Sequence, residues 1–466
     1  MKKSPGKKYL DFSTYIVKKV LKNGIIKLKK ITKYQRTFSM KNYNTLNEIL
    51  KDETVNYIKN ITNGLGKVDT HFISDVFTGI LKYNSIILSD IVRQSGNLNI
   101  KKGVERLERH LDSFNKIDNI LSSNYINLVK PYINNRHLYF VDRGDIVKAD
   151  NTKFENKGFV LDGSDSHTIK QGYQINEIAT IDNNNQPISL VSELRSSKDD
   201  DYKSDNDLWL QHMNYVTNIY GKGTFIMDRG YDSAILMEKV LEMGSDFIIR
   251  AKSLDRNVYI NGEKSTISNI AKNIKGKYKY VSKDYQNLKV SYKQIVIKNR
   301  EAKSLSSKVI TMVVVKGFAI DEKTLNEAYM VLLTSRKVSG KDQALQVVRD
   351  YALRWKIEEN FKYKKQQFSF EKIKVRRYKR IQALNTLLTY VMFFSNVINM
   401  KAVGKTIRKI KNQIREKVLF WLYRISDGIK EIISFFSNEL IVELYPKRNK
   451  RRRDLWTVMG VRFNPA

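Results

Sequence analysis

Two aspartates and one glutamate have the residue types and the setting of a metal-dependent catalytic site. Asp142 directly follows the run Leu138–Val141, and Asp228 directly follows Thr224–Met227, while Glu358 lies in a later segment with helical periodicity. In α/β folds, sites collect where buried strands emerge from the core. Three carboxylates are hard oxygen ligands suited to Mg²⁺ or Mn²⁺, and two such ions can stabilise an in-line phosphoryl displacement. A single aspartate there is more often a turn former, so the prediction depends on all three.

Polar residues around Glu358 are spaced so that they would share one helix face. Tyr351, Arg354, Glu358 and Lys365 lie at relative positions 0, 3, 7 and 14. On a continuous helix from Asp342 to Lys365 they would form a stripe about 60° wide and about 21 Å long. Cations beside a metal-binding glutamate would hold phosphate groups. The alternative is an ordinary Arg354–Glu358 ion pair on an exposed helix.

The elements that carry these residues alternate between strand and helix. Predicted strands are Leu138–Val141, Tyr173–Ile181, Ile188–Leu194, Thr224–Met227 and Phe247–Ala251, and predicted helices are Asp207–Tyr220 and Ser233–Met243. This order predicts an α/β fold with a mixed sheet.

Regular alternation stops after Lys252 and returns near Tyr329. Between them, Asn261-Gly262 predicts a hairpin, and Val290–Ile297 and Val309–Val315 are β-type runs. We therefore expect a β-rich insertion within the α/β core.

Helical patterns flank the core on both sides. Ile100, Val104, Leu107 and Leu111 recur at helical spacing after a turn signal at Ser95-Gly96-Asn97. This pattern fits a helix-turn-helix and an ordinary helical hairpin equally well. The expected regions are a helical DNA-binding region at 1–135, the first part of the catalytic core at 136–252, the β-rich insertion at 253–327, the second part of the core at 328–400 and a helical basic region at 401–466.

The charge of the chain favours a polyanionic partner. Lysine and arginine number 84 against 48 acidic residues, a net charge of +36. Basic residues recur in the N-terminal segment, around Lys372–Arg380 and in Lys447–Arg453. Nucleic acid is the commonest partner for such a surface. The alternative is a lysine-rich composition that reflects only an AT-rich genome.

Composition also indicates the cellular compartment of the protein. Cysteine is absent, which excludes disulfides and thiolate metal sites. No apolar segment follows the basic start of the chain, and polar residues interrupt the apolar stretch Leu384–Met400. We expect an intracellular protein, without a membrane span, in the bacterial cytoplasm at the nucleoid.

Three motifs together resemble the DDE transposases of bacterial insertion sequences. They are Phe140-Val141-Asp142, Ile226-Met227-Asp228-Arg229-Gly230-Tyr231-Asp232, and Tyr351-x2-Arg354-x3-Glu358-x6-Lys365. The third resembles the Tyr-Arg-Glu-Lys pattern that defines one branch of these enzymes. The resemblance extends from about His137 to Met400. It implies a ribonuclease-H-like core with a β-rich insertion between the second aspartate and the glutamate.

The resemblance also assigns roles to residues. It implies that Asp142, Asp228 and Glu358 hold Mg²⁺ or Mn²⁺, with two ions expected, and that Tyr351, Arg354 and Lys365 contact transposon-end DNA. Arg229 and Trp355 join the expected DNA contacts, the latter because Tyr329-Met330 stands where some relatives have a base-stacking tryptophan. Asp145 is the alternative first ligand, although Asp142 is favoured because it directly ends the predicted strand.

These features predict an insertion-sequence transposase. It would bind terminal inverted repeats, cut double-stranded DNA there and transfer the freed 3′-OH to other strands, as a homodimer in the DNA complex. The alternatives are a structure-selective nuclease with the same core, and a transposase-derived DNA-binding protein that no longer cuts.

Overall fold

The computed structural model describes residues 40–94, 99–148, 153–162, 168–281, 287–317, 329–410 and 422–444. The fold is mixed α/β, with a 12-stranded sheet between helical N-terminal and C-terminal regions. The predicted turn at Ser95-Gly96-Asn97 and the basic runs near the two ends of the chain lie outside the described residues.

Within the described ranges, five α-helices precede the sheet. They are α1 (Met40–Ile61), α2 (Lys67–Tyr83), α3 (Leu88–Gln94), α4 (Ile100–Asp112) and α5 (Asp118–Val129). Asn99 caps α4 by accepting a hydrogen bond from the Lys102 backbone N–H at 3.0 Å. Gly103 lets α4 approach α3, because a Cβ at this position would lie 2.3 Å from Val92. The predicted helical pair is therefore present, and its role in DNA binding stays a prediction.

The core sheet combines an antiparallel meander with two parallel strands. The first six strands are β1 (Leu138–Val147), β2 (Gly158–Asp162), β3 (Thr168–Ile181), β4 (Pro187–Arg195), β5 (Thr224–Met227) and β6 (Asp246–Arg250). The spatial order β4-β3-β1-β5-β6 has antiparallel β4, β3 and β1, followed by β5 and β6 parallel to β1. Helices α6 (Asp205–Tyr220) and α7 (Ala234–Glu242) connect these strands. This arrangement confirms the predicted ribonuclease-H-like core.

Two features of these strands differ from the sequence prediction. The short strand β2 was not predicted. The prediction that the first strand ends at Asp142 was wrong, since β1 continues to Val147. It continues because its pairing with β3 extends through Asp142↔Glu177 to Val147↔Gly172.

The segment between β6 and the last core strand is β-rich, as predicted. It contains β7 (Asn257–Ile260), β8 (Glu263–Thr266), α8 (Ile267–Asn273), β9 (Tyr278–Tyr280), β10 (Leu288–Val296) and β11 (Val309–Lys316), and is followed by β12 (Tyr329–Thr334). The β7–β8 turn has positive φ at Asn261 (51°) and Gly262 (87°), which these residue types tolerate. Since β12 pairs with β6 and β11 with β12, these strands extend the core sheet.

The predicted long helix from Asp342 to Lys365 is interrupted. The structure has α9 (Lys341–Ala352), a turn at 353–354, α10 (Trp355–Lys362) and a π-helical turn (Tyr363–Gln367). The backbone N–H groups of Arg354, Lys356 and Ile357 bond three residues back, at 3.0, 2.9 and 3.1 Å. Such tightened bonding, followed by a π turn, departs from 3.6 residues per turn. The single straight stripe predicted from this periodicity was therefore wrong.

The last described helices are α11 (Tyr378–Met400), α12 (Ala402–Ile410) and α13 (Leu422–Leu444). Among the helices of the described ranges, only α11 is long and apolar enough to span a membrane. However, 89% of its apolar window is buried inside the protein, as is usual for a core helix. Its polar residues Asn385 and Thr389 are also buried, and both bind partners described below.

Candidate active site

The parallel strands place two carboxylates side by side. The last residue pair between β1 and β5 is Val141↔Met227, so Asp142 and Asp228 are the next residues on two neighbouring strands. Arg250 ends β6 at the same level, because Met227 pairs with Ile249. Strand register therefore accounts for the meeting of two residues that are 86 positions apart in the sequence.

Arg354 joins Glu358 to this edge of the sheet. Its Nη1 donates to Asp142 Oδ2 at 2.9 Å, and its Nη2 donates to Glu358 Oε1 at 2.6 Å. The Arg354 side chain is only 10% exposed. The predicted alternative of an Arg354–Glu358 pair on an exposed helix is thus half right: the pair exists, but it is largely buried and shared with Asp142.

Tyr351 and Lys365 also bind acidic residues at this edge. The Tyr351 hydroxyl donates to Asp228 Oδ1 at 3.2 Å. The Lys365 ammonium lies 3.3 Å from Asp145 Oδ2 and 3.3 Å from Glu371 Oε1. Tyr351, Arg354 and Glu358 therefore meet beside Asp142 and Asp228, whereas Lys365 contacts Asp145 and Glu371, although the helix that carries them is broken.

Burial changes the acid–base properties of the central groups. It raises the pKa of Asp142 to about 6; the Arg354 charge opposes this rise, while the charges of Glu358 and Asp228 add to it. Burial likewise raises the pKa of Glu358, and Arg354 again opposes the rise. Burial also raises the pKa of Tyr351. The site therefore disfavours additional negative charge and favours a cation between the carboxylates.

Asp142 and Asp145 have different surroundings. Asp142 shares a strand face with Gly144, and a Cβ on Gly144 would lie 2.8 Å from the Phe361 ring of α10. Asp142 thus faces the element that carries Glu358. Strand alternation places Asp145 on the other face, where it forms an ion pair with Lys365. The structure brings together Asp142, Asp228 and Glu358, with Asp145 at the margin.

The chemistry of the three carboxylates fits a hard divalent cation, but in this structure a guanidinium lies between two of them, Asp142 and Glu358. Within the described residues, no three acidic or histidine side chains are gathered closely enough to hold a metal ion as they stand. Arg354 instead supplies the positive charge shared by Asp142 and Glu358. A metal ion would have to take over this neutralising role from Arg354.

The two remaining predicted DNA contacts lie at the rim of the site. Arg229 follows Asp228 and is exposed. Trp355 begins α10, is partly buried, and has the Lys362 ammonium 4.4 Å from its ring centroid. Neither residue contributes to the carboxylate cluster, and their expected contacts with DNA stay predictions.

Two buried residues next to the site were not predicted from the sequence. Glu177 lies opposite Asp142 in the β1–β3 register and is fully buried. Lys364, beside Lys365, is fully buried as well. The signal for Glu177 was a polar pair, Asn176-Glu177, inside the apolar strand Tyr173–Ile181. For Lys364 no such signal exists, because it belongs to a run of lysines.

A row of exposed cations begins beside Lys365. Lys372, Lys374 and Arg376 are exposed, whereas Ile373 and Val375 between them are buried. We call these three cations the basic ridge. Hydrogen bonds from Lys148 Nζ to the Ile373 carbonyl (3.2 Å) and from Glu155 N to the Arg376 carbonyl (3.0 Å) hold this extended segment beside the end of β1.

Comparison with known proteins adds one family. A family model described as a transposase DDE domain matches residues 150–394, which is more than half of the chain. The match includes Asp228 and the segment from Tyr351 to Lys365, and it begins after Asp142. No curated protein matches the chain significantly.

Proposed function

Because the chain belongs to the family of transposases with a DDE domain, we propose that it moves an insertion sequence. It binds the terminal inverted repeats, hydrolyses the phosphodiester bond at each end and uses the freed 3′-OH to attack other strands. The observation that carries this proposal is the meeting of Asp142, Asp228 and Glu358 at one edge of the sheet, around a single buried guanidinium.

The three carboxylates are proposed to hold Mg²⁺ or Mn²⁺, with two ions expected. When bound, such ions stabilise the charge on the attacking and leaving oxygens of an in-line phosphoryl displacement. The support is the donor set, three oxygen-bearing side chains whose mutual repulsion calls for a cation. Asp142 is preferred to Asp145 because it faces α10 and interacts with both other acids.

The cations around the carboxylates are proposed to hold DNA phosphates. If a metal ion neutralised Asp142 and Glu358, Arg354 would no longer be needed as their partner, and its planar guanidinium would suit a phosphate group. Tyr351 and Lys365 contact the same transposon end, as expected for the branch with the Tyr-Arg-Glu-Lys pattern, and Arg229 and Trp355 contact it at the rim. Two such ends are held together by a homodimer at the bacterial nucleoid.

Single substitutions of the acids test the catalytic assignment. Asp142→Asn, Asp228→Asn and Glu358→Gln should each abolish cleavage of a labelled transposon end while end binding persists, because phosphate contacts elsewhere supply most of the affinity. Asp145→Asn is the matched control and should keep cleaving. Cutting should require Mg²⁺ or Mn²⁺ and cease in EDTA.

The other outcomes point to other functions. Normal cleavage by Asp142→Asn together with loss in Asp145→Asn would move the first ligand to Asp145. Robust cutting in chelator would refute the metal mechanism. Cleavage without strand transfer would indicate a nuclease, and end binding without cleavage by the unmodified protein would indicate a silent DNA-binding descendant.

A further inference from the structure

A charged pair lies fully buried beside the carboxylates. Lys364, in the π-helical turn, and Glu177, in β3, both have side chains with 0% exposure, and Lys364 Nζ lies 3.5 Å from Glu177 Oε2. Burying two charges is unfavourable unless they are paired and hydrogen-bonded. An apolar pair would pack at this position at lower cost, so the pair calls for an explanation other than stability.

The lysine is fully coordinated by side chains from two other elements. Its ammonium donates to Ser192 Oγ of β4 at 2.6 Å and to Asn385 Oδ1 of α11 at 3.0 Å, and lies 3.4 Å from Thr389 Oγ1. Asn385 in turn donates from Nδ2 to the Ser192 carbonyl at 2.8 Å. The π turn is thereby attached to both the sheet and the core helix α11.

The glutamate is coordinated from the helix that carries Glu358. Glu177 Oε1 accepts hydrogen bonds from Ser189 Oγ at 2.6 Å and from Asn360 Nδ2, and Asn360 Nδ2 also reaches Ser189 Oγ at 2.9 Å. Asn360 lies two residues after Glu358 on α10. The same carboxylate therefore binds α10 through Asn360 and the π turn through Lys364.

The buried cluster around Glu177 and Lys364 adjoins the candidate active site at two points. Glu177 is paired with Asp142 across the β1–β3 register. Lys364 immediately precedes Lys365, which contacts Asp145. Apolar packing is non-directional, whereas hydrogen bonds between charged groups have defined lengths and angles. The cluster can therefore restrict the position and orientation of α10 relative to β3 more than the surrounding apolar contacts can.

We propose that Glu177 and Lys364 are positioning residues, which hold α10 and the π turn over β3 so that Glu358 faces Asp142 and Asp228. This inference rests on the proposed function, since it matters only if Glu358 acts together with the two aspartates. Functional sites of this kind require ligands held to within about 0.5 Å. Neither residue touches the DNA or the metal in this proposal.

The test is a charge-neutral double variant, Glu177→Gln with Lys364→Met, studied as the full-length protein. The introduced glutamine keeps a hydrogen-bonding oxygen and the introduced methionine keeps most of the side-chain volume, so the unfolding temperature without metal should change little. Mn²⁺ binding, measured as free Mn²⁺ by electron paramagnetic resonance, should weaken at least tenfold. Cleavage at saturating Mn²⁺ should fall at least thirtyfold, with end binding within twofold of the unmodified protein.

A second pair serves as the control. Asp75→Asn with Arg106→Met removes an ion pair of 2.5 Å between α2 and α4, away from the sheet, and should leave Mn²⁺ binding unchanged. If the Glu177/Lys364 variant loses thermal stability while Mn²⁺ binding and cleavage per folded molecule stay normal, the pair is only structural. Glu358→Gln separates a failure of the proposed function from a failure of the positioning role. If Glu358→Gln still cleaves, the proposed function itself is wrong.

A milder variant keeps the inference testable if the double variant does not fold. Ser192→Ala removes the 2.6 Å partner of Lys364 without changing any charge. It should weaken Mn²⁺ binding about threefold, whereas Ser122→Ala, on α5, should have no effect. Unchanged Mn²⁺ binding in Ser192→Ala, with the fold intact, would overturn the inference.

Discussion

A single guanidinium joins two of the three carboxylates, Asp142 and Glu358. Arg354 donates to Asp142 and Glu358 at once and is nearly excluded from solvent. Burial raises the pKa of both acids and the Arg354 charge opposes this rise, so Arg354 favours the charged form of both carboxylates in the absence of a metal ion. Spacing along the chain predicted the contact with Glu358, at i,i+4, but not the contact with Asp142.

The first prediction concerns the stability of the metal-free protein. Arg354→Ala should lower its free energy of unfolding by about 3–5 kcal/mol, because it leaves two largely buried carboxylates without their partner. An exposed ion pair would contribute only about 0.3–0.5 kcal/mol. Chemical denaturation in EDTA measures the difference.

Arg349→Ala is the matched control for this prediction. Arg349 is an exposed arginine on α9, and its loss should change the free energy of unfolding by less than about 0.5 kcal/mol. Equal effects of the two substitutions would mean that Arg354 does not neutralise the site. The proposed role of Arg354 with DNA is tested separately by end binding.

Among the elements, α4 and α11 are joined by a network of ion pairs. Asp112, at the end of α4, accepts hydrogen bonds from Arg380 Nε at 2.8 Å and Nη2 at 2.7 Å, and from Arg377 Nη1 at 2.8 Å. The hydrogen bonds from Arg380, with the nearby positive charges, lower the pKa of Asp112 to about 2. The helices that precede the sheet are thereby attached to the start of the long core helix.

The second prediction is a pH-dependent loss of stability in Asp112→Asn. A carboxyl with a lowered pKa stabilises the fold above its unfolded pKa near 3.8, and this contribution disappears as the pH falls through about 2. The variant should therefore melt several degrees below the unmodified protein at pH 6, and this difference should shrink between pH 4 and pH 2. Glu105→Gln, an exposed residue on the same helix, should show no such trend. A difference that is constant over this range would contradict the assignment.

For the whole molecule, the location of the excess positive charge bears on the proposed binding of DNA. The net charge of +36 is spread over the chain, but the basic ridge of Lys372, Lys374 and Arg376 lies beside Lys365 and hence beside the carboxylates. DNA that enters the site would pass these cations. Each phosphate contact releases counterions, so such a surface makes binding depend strongly on salt.

The third prediction is that the basic ridge contributes directly to this salt dependence. The triple variant Lys372→Ala, Lys374→Ala, Arg376→Ala should bind transposon ends more weakly, and the slope of log affinity against log salt should fall by about three units. The measurement is a set of binding titrations between about 50 and 200 mM salt, over which the unmodified protein should lose about 10³-fold or more in affinity.

A control variant that removes the same charge elsewhere tests whether the decrease of the salt slope is specific to the basic ridge. Lys289, Lys293 and Lys308 are exposed near the distant end of the sheet, on or next to β10 and β11. Replacing these three by alanine removes the same charge and should leave the slope within one unit of that of the unmodified protein. Equal decreases of the slope in the two triple variants would mean that DNA affinity depends only on the net charge of the protein and not on where the charges lie.

The residue pattern determined most of the strands, several of the helices and the candidate acids. Runs of buried side chains, the Asn261-Gly262 turn and the alternation of strand and helix depend on neighbouring residues, so they are readable along the chain. Asp142, Asp228 and Glu358 were selected because each lies in such a local context. The predicted α/β class and ribonuclease-H-like core are confirmed by the strand order.

The tertiary structure decided the features that depend on distant partners. Strand β1 continues past Asp142 because β3 pairs with it, and the helix before Glu358 breaks where Arg354 reaches the sheet. The insertion extends the core sheet because β12 pairs with β6. The Glu177–Lys364 pair is invisible in the sequence, since hydrogen bonds between residues 187 positions apart leave no periodic pattern. Local periodicity indicates which face of an element is buried, whereas only the tertiary structure determines which residues are in contact there.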